Sequence, residues 1–518
     1  MFRTLRNLRR LLGIARTLAR HDALVALGDV AVARPLRLAA RLLVFRKIPG
    51  ISEKSPGERL SLALQALGPA FIKLGQVLSV RVDLIGEEMA DDLAMLQDRL
   101  PPFTGAEARA TIEAEFGQPV EDIFETFDQK PVAAASIAQV HRAVTAQGDQ
   151  VAVKVLRPGV EDAFRRDLDL MAWLAELVER NRPALKRLKP VEVVETLADS
   201  VAMELDLRLE AAAADELRKN FEGDHNFIVP KVDWTRTARR VLTTDWINGV
   251  QLHDRDALEA RGHDLETVVA NLARAFFLQV FRDGFFHADL HPGNLFIAED
   301  GAVIAVDFGI MGRVDKKTRQ YLAEMLLGFL TGDYDRVAKV HFRAGYVPAN
   351  QSVEAFAQAA RSIAEPILGL PLSQISLARL LAQLFQVTER FQMETQPQLL
   401  LLQKTMLVAE GVGRGLYPDV NMWELARPMI ADWMAETLGP EARIRDAVGD
   451  MVRGLERLPA LLADVEDSVD SMARDGLRLH PDTVRAVAAL QGARRRRWPV
   501  WAGTGATLAI VLYAMLAG

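Results

Sequence analysis

The 518-residue sequence contains no cysteine and few aromatic residues, and its charges nearly balance. Without cysteine it can form no disulfide, no iron–sulfur cluster, no thiolate zinc site and no cysteine nucleophile. Aromatic residues make up 7% of the chain and the net charge is −6, so no overall basic field indicates nucleic acid as a partner. The remaining composition, half hydrophobic and one quarter charged, is typical of a helix-leaning globular protein with two to four domains.

The N-terminal segment, 1–50, is strongly basic although the whole chain is not. It has eleven Lys or Arg and two Asp, a net charge of +9. Between 1 and 20 apolar residues recur every three or four positions, which predicts an amphipathic helix lying on an anionic membrane surface. Two alternatives stay open: a helix packed on the protein, and a cleaved organellar transit peptide. The apolar positions are Phe2, Leu5, Leu8, Leu12, Ala15 and Leu18.

The last 21 residues, Trp498–Gly518, are uncharged and follow four consecutive arginines, Arg494–Arg497. At 1.5 Å per residue such a helix spans about 30 Å, the thickness of one hydrocarbon core. Trp498 and Trp501 lie where interfacial aromatic residues are expected. We predict a transmembrane segment with the preceding chain on the cytoplasmic side; a buried C-terminal helix is the alternative. No cleavable secretory signal is visible.

Between these ends the hydrophobic pattern changes twice. Helical periodicity before residue 120 gives way to alternating apolar residues around Thr145–Asp149, which predicts a β-hairpin. Helical periodicity returns at 160–220, short strand-like runs follow at 227–250, and helices dominate from 265 onward. The predicted segments are a basic amphipathic segment (1–50), a helical extension (51–119), a small β-rich lobe with inserted helices (120–250), a helical lobe (251–440), a helical linker (441–497) and the membrane segment (498–518).

The most informative stretch is His287–Asn294, which is followed by Asp307–Gly309. A protein-kinase catalytic loop has the pattern H-R-D-L-x-x-x-N and precedes a D-F-G motif. This sequence matches the His, Asp, Leu and Asn of that pattern, with Asn five residues after Asp, and each motif follows a plausible strand. The combination predicts a site of phosphoryl transfer.

Phosphoryl transfer needs a carboxylate near the attacking oxygen and oxygen ligands that hold magnesium on the phosphates. We predict that Asp289 is the catalytic carboxylate. Asn294 and Asp307 would bind Mg²⁺, a hard cation that prefers such donors. An alternative interpretation is a transition-metal site made of His287, Asp289 and His291. It would leave the amide and the second carboxylate without a role.

Upstream, Val151–Lys154 matches the kinase V-A-I-K motif, whose lysine contacts the α- and β-phosphates of ATP. Kinases hold this lysine with a glutamate from a following helix. Glu204, Asp206 and Glu210 lie in such a predicted helical region, and Glu210 is our choice as the partner of Lys154. Standing alone, Lys154 would be an ordinary strand lysine.

The sequence departs from the kinase pattern at the glycine-rich loop. Aligned on Val140, all three glycine positions are alanine. Glycine permits positive φ and close approach to phosphate, and a Cβ hinders both, so we expect nucleotide to bind in an altered pose. Because Ala288 replaces the Arg of H-R-D and no A-P-E follows, neither a phosphorylation switch nor a peptide platform is expected. The predicted nucleotide-binding residues are Ala133, Ala134, Ala135, Ser136, Ile137, Ala138, Gln139, Val140 and Lys154.

With these motifs the chain resembles the bacterial UbiB family, atypical protein-kinase-like proteins required for ubiquinone biosynthesis. The resemblance implies an α+β, two-lobed kinase-like fold with a small β-rich N-lobe, a helical C-lobe, an N-terminal helical extension and a C-terminal transmembrane segment. Members usually end in two membrane spans, and this sequence shows one. The residues that carry the resemblance are Lys73–Gln76 (K-x-G-Q), Ala133–Ser136, Glu204–Asp206 (E-x-D), His287–Asn294 and Asp307–Gly309.

The resemblance also implies roles that the residues alone do not give. Lys73 and Gln76 would belong to an extension that folds over the active site and excludes protein substrates, and Glu204 and Asp206 would contact that extension. By its spacing alone Lys73 would be a solvated residue beside an apolar helical stripe. All of these residues are candidate site residues, together with Asp289, Lys154 and Glu210.

The implied function is an ATPase or unorthodox kinase that uses ATP and Mg²⁺ and handles lipid intermediates of ubiquinone biosynthesis at the cytoplasmic face of the inner membrane. The resemblance implies polyprenyl-phenol quinone precursors and other ubiquinone biosynthesis proteins as partners. The basic N-terminal segment predicts anionic membrane lipids, and apolar helices around 320–440 could form an interface with a second copy of the chain. The sequence shows no flavin fingerprint and no iron-ligand set, as expected if it is not a ring hydroxylase. A small-molecule phosphotransferase of the aminoglycoside or choline kinase type, and a non-catalytic, nucleotide-switched lipid-binding scaffold, remain alternatives.

Overall fold

The computed structural model describes residues 2–23, 48–79, 101–181, 190–366 and 397–418, with short pieces at 89, 92–93, 386–388, 390–393 and 433. All of these lie in the first of two compact units, Met1–Met434 and Ala435–Gly518. The predicted helical linker and the predicted membrane segment therefore lie outside the described residues. Within the described residues, no helix is both long enough and apolar enough to cross a bilayer.

Helices α1 (Phe2–Arg20), α2 (Pro56–Leu67) and α3 (Pro69–Ser79) form the N-terminal part. Ile14 and Ala15 are buried, whereas Leu12 is 52% exposed. Arg10 donates to both carboxylate oxygens of Asp167 and to the carbonyl of Leu67. The described part of α1 is thus a helix packed on the protein, the first of the open alternatives.

A β-rich part follows, as the sequence predicts. Its sheet has the order β1-β3-β4-β6, and β2 pairs with β3. One face of β4 is buried in a core that includes Val151, Val153, Val155 and, from helix α4 (Gly105–Phe116), Ile112. Because side chains alternate along a strand, Lys154 lies on the opposite face of β4. The elements are α4 (Gly105–Phe116), α5 (Val120–Ile123), β1 (Phe124–Phe127), β2 (Ala133–Ala134), β3 (Ala138–Thr145), β4 (Gln150–Leu156) and, later in the chain, β6 (Val241–Asp245).

Antiparallel pairing of β3 with β4 confirms the predicted hairpin, with Val140 opposite Lys154. Three helices are inserted between β4 and β6: α6 (Val160–Asn181), α7 (Pro190–Glu204) and α8 (Leu207–Asn220). Asp206 is the N-cap of the last of them, and its side chain accepts a hydrogen bond from the amide of Arg208. This N-cap fixes where α8 starts, and therefore where Glu210 lies in its first turn.

The second part holds two small sheets and the remaining helices. One sheet has the order β5-β10-β9-β7, and β8 pairs with β11 in the other. A π-helical turn, Leu278–Asp283, leads into β8. The elements are β5 (Phe227–Ile228), β7 (Val250–Gln251), α9 (Arg255–Ala260), α10 (Leu265–Phe277), β8 (Phe285–His287), β9 (Leu295–Ile297), β10 (Val303–Ala305), β11 (Met311–Arg313), α11 (Lys316–Thr331), α12 (Tyr334–Arg343), α13 (Val353–Ala364) and α14 (Pro397–Leu416).

Candidate active site

The site centres on Lys154, which β4 presents to helix α8. Its Nζ lies 2.7 Å from Oε1 of Glu210 and 3.2 Å from Oδ1 of Asp307. The Lys154 and Glu210 side chains are 16% and 9% exposed, and that of Asp307 is 45% exposed. The predicted Lys154–Glu210 pair is confirmed as a contact, and the Asp-Phe-Gly carboxylate joins it.

Three residues of the Asp-Phe-Gly segment are held in distinct ways. Asp307 has a φ of 62°, a left-handed conformation that is uncommon for a residue with a Cβ and that concentrates at functional sites. Phe308 is buried and packs its ring edge-on against His287. The amide of Gly309 donates to Asp307 Oδ1 at 3.4 Å. Lys154 therefore links Glu210 to the Asp-Phe-Gly segment.

The charges of this cluster set its protonation. Burial by itself would lower the pKa of Lys154, but the carboxylates of Asp307 and Glu210 outweigh it and raise that pKa. Desolvation opposes ionisation of Asp307, yet the Lys154 ammonium holds the pKa of that carboxyl below its ordinary value. Burial raises the pKa of Glu210 against the effect of Lys154. Near neutral pH the lysine is a fixed cation and Asp307 an exposed anion.

The catalytic loop lies next to this cluster. His287 is fully buried; its Nδ1 accepts the amide of Asp289 at 3.1 Å, and its Nε2 lies 3.2 Å from the Val306 carbonyl. Burial lowers the pKa of His287, and these two contacts fit the neutral ring with its proton on Nε2. Asn294 Nδ2 donates to the carbonyl of Asp289 at 3.1 Å and to its Oδ2 at 3.3 Å. The predicted catalytic carboxylate and the predicted amide ligand are thus adjacent.

Backbone hydrogen bonds join the two loops. The pairing of β11 with β8 places Met311 opposite His287. The amide of Ala288 donates to the Ile310 carbonyl at 3.0 Å, and the amide of Val306 donates to the Asn294 carbonyl at 2.9 Å. A catalytic loop and an Asp-Phe-Gly segment that are nearly twenty residues apart in sequence are therefore held side by side.

The alternative transition-metal site is not formed. His287 uses both ring nitrogens inside the protein, and His291 is exposed with its Nδ1 accepting the amide of Gly293. Across the described residues no group of three His, Cys, Asp or Glu side chains is arranged to hold a metal ion. The His-x-Asp-x-His spacing serves loop structure instead.

Among the described residues, the extension contacts the E-x-D segment through its glutamate, Glu204. Lys73 on α3 forms an ion pair with Glu204 at the end of α7. The prediction that Asp206 also contacts the extension stays a prediction; among the described residues both of its carboxylate oxygens bind Arg208, whose hydrogen bonds hold the pKa of Asp206 low. Gln76 lies one turn after Lys73, and its carbonyl accepts a hydrogen bond from the Ser79 hydroxyl.

The alanine loop, defined here as Ala133–Ala138, needs no glycine for its shape. None of its residues is among the described residues with positive φ. Gln139, predicted to bind nucleotide, has a buried side chain that instead pairs with both backbone groups of Phe103 and with His141. Its amide group is therefore unavailable to a ligand, because the segment before α4 uses it.

Sequence reasoning missed two buried residues that support the catalytic loop. Gln279, in the π-helical turn, accepts the His287 amide at 2.8 Å. Thr405 on α14 is fully buried, and its hydroxyl lies 3.2 Å from the Ala288 carbonyl and 2.9 Å from that of Leu401. Ala288 stands where kinases have arginine. Helix α14 contacts this position through Thr405. No local pattern marks either residue, since both depend on long-range packing.

A strand lysine paired with a helix glutamate, beside a catalytic loop and an Asp-Phe-Gly segment, defines the class: a kinase-like domain that lacks the glycine-rich loop. Residues 95–341 match the ABC1 atypical kinase-like domain, and residues 360–421 match the UbiB helical domain. The chain belongs to the UbiB family of ABC1 atypical kinase-like proteins. The predicted family and kinase-like α+β fold are confirmed.

Curated relatives bear the description "Probable protein kinase UbiB". One from Marinobacter nauticus is 42% identical over 476 residues, covering 91% of this chain and 86% of the relative. Another, from Aeromonas salmonicida, is 44% identical over 438 residues, covering 83% and 80%. A solved structure of a Mycobacterium tuberculosis protein in complex with erythromycin is 26% identical, with a TM-score of 0.51, and covers 77% of this chain and 97% of that one.

Proposed function

We propose that this protein is an ATPase or unorthodox kinase that uses ATP and Mg²⁺ and supports ubiquinone biosynthesis. The observation that carries the proposal is the contact of Lys154 with both Glu210 and Asp307, next to the Asp289–Asn294 pair. Phosphoryl transfer is catalysed mainly by positioning and by electrostatic stabilisation of phosphate charge. A fixed, partly buried cation and an exposed carboxylate beside a second carboxylate supply both.

The residues present fit Mg²⁺ and a nucleotide. Asp307 and Asn294 offer a carboxylate and an amide oxygen, the hard donors that Mg²⁺ takes. The Asn294 side-chain nitrogen donates to Asp289, so the side-chain oxygen Oδ1 is the atom that could bind a cation. When bound, Mg²⁺ would neutralise the charge that develops on the transferred phosphoryl group.

Each protein group then has one task. Lys154, kept protonated and oriented by Glu210, would hold phosphate oxygens. Asp289, kept in place by the Asn294 amide and by its own amide bond to His287, would accept the proton of the attacking hydroxyl or water. Neutral His287 positions the loop without adding a charge that would compete with the cation.

The membrane part of the proposal rests on the sequence and on the family. We propose that 498–518 attaches the protein to the inner membrane with the globular part on the cytoplasmic face. Anionic lipids and polyprenyl-phenol quinone precursors are the proposed partners. Deleting 498–518 should move the protein from the membrane to the soluble fraction, and unchanged membrane association would contradict the attachment.

The activity is tested with the full-length chain in phosphatidylglycerol vesicles, measuring ATP consumption with and without Mg²⁺. We expect Asp307→Asn to lower turnover by about 100-fold or more, because it removes the charged metal ligand and the partner of Lys154. The matched control is Asp300→Asn, in the β9–β10 turn, where the side chain only caps the Ala302 amide.

Other outcomes would favour the alternatives. Nucleotide binding with no consumption in any vesicle would indicate a nucleotide-switched scaffold. Phosphorylation of a soluble hydroxyl compound, without dependence on the vesicle, would indicate a small-molecule phosphotransferase. Equal turnover by wild type and Asp307→Asn would contradict the proposed mechanism.

A further inference from the structure

Arg157, the first residue after β4, makes an unusual set of contacts with the alanine loop. Its Nε donates to the Ser136 carbonyl at 3.3 Å and its Nη2 to the Ala135 carbonyl at 3.4 Å. Its backbone amide donates to the Ile137 carbonyl at 2.7 Å. Arg157 therefore donates hydrogen bonds to three consecutive carbonyls of the loop.

The same guanidinium also holds the segment that enters α4. Its Nη2 donates to the Pro101 carbonyl at 3.0 Å, and its Cζ lies 5.3 Å from the centre of the Phe103 ring. From the strand beside it, Gln139 accepts the Phe103 amide at 3.0 Å and donates to the Phe103 carbonyl at 3.2 Å. The Pro101–Phe103 segment and the alanine loop are thus fixed to each other by two side chains, Gln139 on β3 and Arg157 just after β4.

We infer that Arg157 is a positioning residue for nucleotide: it fixes the alanine loop so that the loop's amides face bound phosphate. In a trans peptide the C=O and the following N–H point in opposite directions. Carbonyls of Ala135, Ser136 and Ile137 directed at Arg157 therefore direct the next three amides away from it. Consecutive backbone amides on one side of a loop form a site for phosphate oxygens.

This inference rests on the proposed function and explains how a loop without glycine could serve it. In a glycine-rich loop the backbone conformation itself brings amides to the phosphates. Here every position carries an ordinary φ, so the orientation must be imposed from outside. Arg157 supplies it because a guanidinium has several donors in a rigid plane and can bind several carbonyls at once.

The test uses the full-length protein in phosphatidylglycerol vesicles, with KM and kcat for MgATP and the Kd of a fluorescent ADP analogue with Mg²⁺. Arg157→Ala should raise KM and Kd roughly tenfold and leave kcat within about threefold, because loop amides contribute to phosphate binding while the catalytic residues stay in place. Arg157→Lys should fall between alanine and wild type, since an ammonium cannot span the same carbonyls.

The matched control is Arg142→Ala, an arginine of the same sheet that stacks on Trp246 and bonds Gln150, away from the loop. If Arg157→Ala and Arg142→Ala give equal KM and Kd, Arg157 has no positioning role although the proposed function stands. If the wild type binds no Mg-nucleotide, the proposed function fails and the inference with it. Should Arg157→Ala not fold, Arg157→Lys decides: a raised KM supports the role, and a wild-type KM overturns it.

Discussion

Two lysine–glutamate ion pairs lie on successive inserted helices and differ in what they join. Lys154–Glu210 connects β4 to α8, and Lys73–Glu204 connects α3 to the end of α7. Their side chains are similarly shielded, 16% and 9% exposed in the first pair against 12% and 13% in the second. Only the first has a further carboxylate, Asp307, on the lysine among the described residues.

That difference indicates a role in phosphate binding for the first pair and a role in joining two elements for the second. A partly buried lysine between two carboxylates, one of them exposed, can exchange a protein partner for phosphate without losing its charge. A lysine with one carboxylate partner on another element mainly joins the two elements. We therefore expect the two pairs to fail in different ways when they are broken.

The largest effect should come from Lys154→Ala. It leaves the Glu210 and Asp307 carboxylates facing each other without a cation, which should lower the free energy of unfolding by about 3 kcal/mol. ATP turnover should fall by about 100-fold or more, because the phosphate-binding cation is gone. Denaturant titration and ATP consumption measure the two losses.

The control is Lys219→Ala on α8, the helix that carries Glu210; the Lys219 side chain is 63% exposed and pairs with Asp215. An exposed pair of this kind contributes about 0.5 kcal/mol or less. Comparable losses for the two variants would mean that Lys154 is an ordinary surface lysine, contrary to its contacts.

Breaking the Lys73–Glu204 pair should cost stability more than nucleotide binding. A double-mutant cycle of Lys73→Ala and Glu204→Ala should give a coupling free energy of about 1 to 2 kcal/mol, because the pair is partly buried. The Kd of Mg-nucleotide should stay within about threefold of wild type, since neither residue contacts Lys154 or Asp307. The exposed Arg255–Glu259 pair is the reference cycle. A tenfold loss of nucleotide affinity would instead place Lys73 in the nucleotide site.

The comparison also shows what a sequence can and cannot predict. Lys154, Asp289, Asn294 and Asp307 could be found because each lies in a short motif whose spacing the chemistry requires. Lys73 could be proposed only from the family, because a helix lysine has no local pattern that separates a buried ion pair from a solvated side chain. The role that the family gives Asp206 stays a prediction, because the described contacts of its carboxylate are those with Arg208 at the start of α8.

The fold was predictable where periodicity is strong and unpredictable where contacts join distant segments. The β3–β4 hairpin follows from alternating apolar residues around a turn. Thr405 and Arg157 act on loops that lie 117 and about 20 residues away, and only packing brings them there. The alanine loop illustrates this best: three missing glycines are visible in the sequence, but the residue that shapes the loop without them is not.

Thr405→Val tests whether α14 supports catalysis, as the Lys154–Glu210 pair should, or only stability, as the Lys73–Glu204 pair should. The substitution keeps the shape and removes the hydroxyl, which should lower the free energy of unfolding by about 1 kcal/mol. If the bond to Ala288 positions the catalytic loop, kcat should fall severalfold while KM stays constant. Thr331→Val is the control, because Thr331 makes the same bond to the carbonyl four residues earlier on an exposed part of its helix. Identical kcat values would limit Thr405 to helix packing.

The smallest effect should be a pH response that comes from a buried histidine. The raised pKa of Lys154 means that its contribution is complete below pH 10.5 and is lost only in more alkaline solution. His141 differs, since burial lowers its pKa below 6.5. Its neutral ring lies 2.7 Å from the Asp128 carbonyl and 2.8 Å from Gln139 Nε2, so a second ring proton would oppose the Gln139 donor.

Stability from His141 is therefore complete above pH 6.5 and is lost as the pH falls through the lower pKa of the folded state. Between pH 7 and pH 5 the melting temperature should fall less steeply for His141→Gln, which keeps a donor and an acceptor, than for wild type. His225→Gln, at an exposed position, should match wild type. If the melting temperature falls equally for all three proteins, the Phe103–Gln139 contact does not depend on a neutral His141. The response to acid would then come from another buried histidine, such as His287.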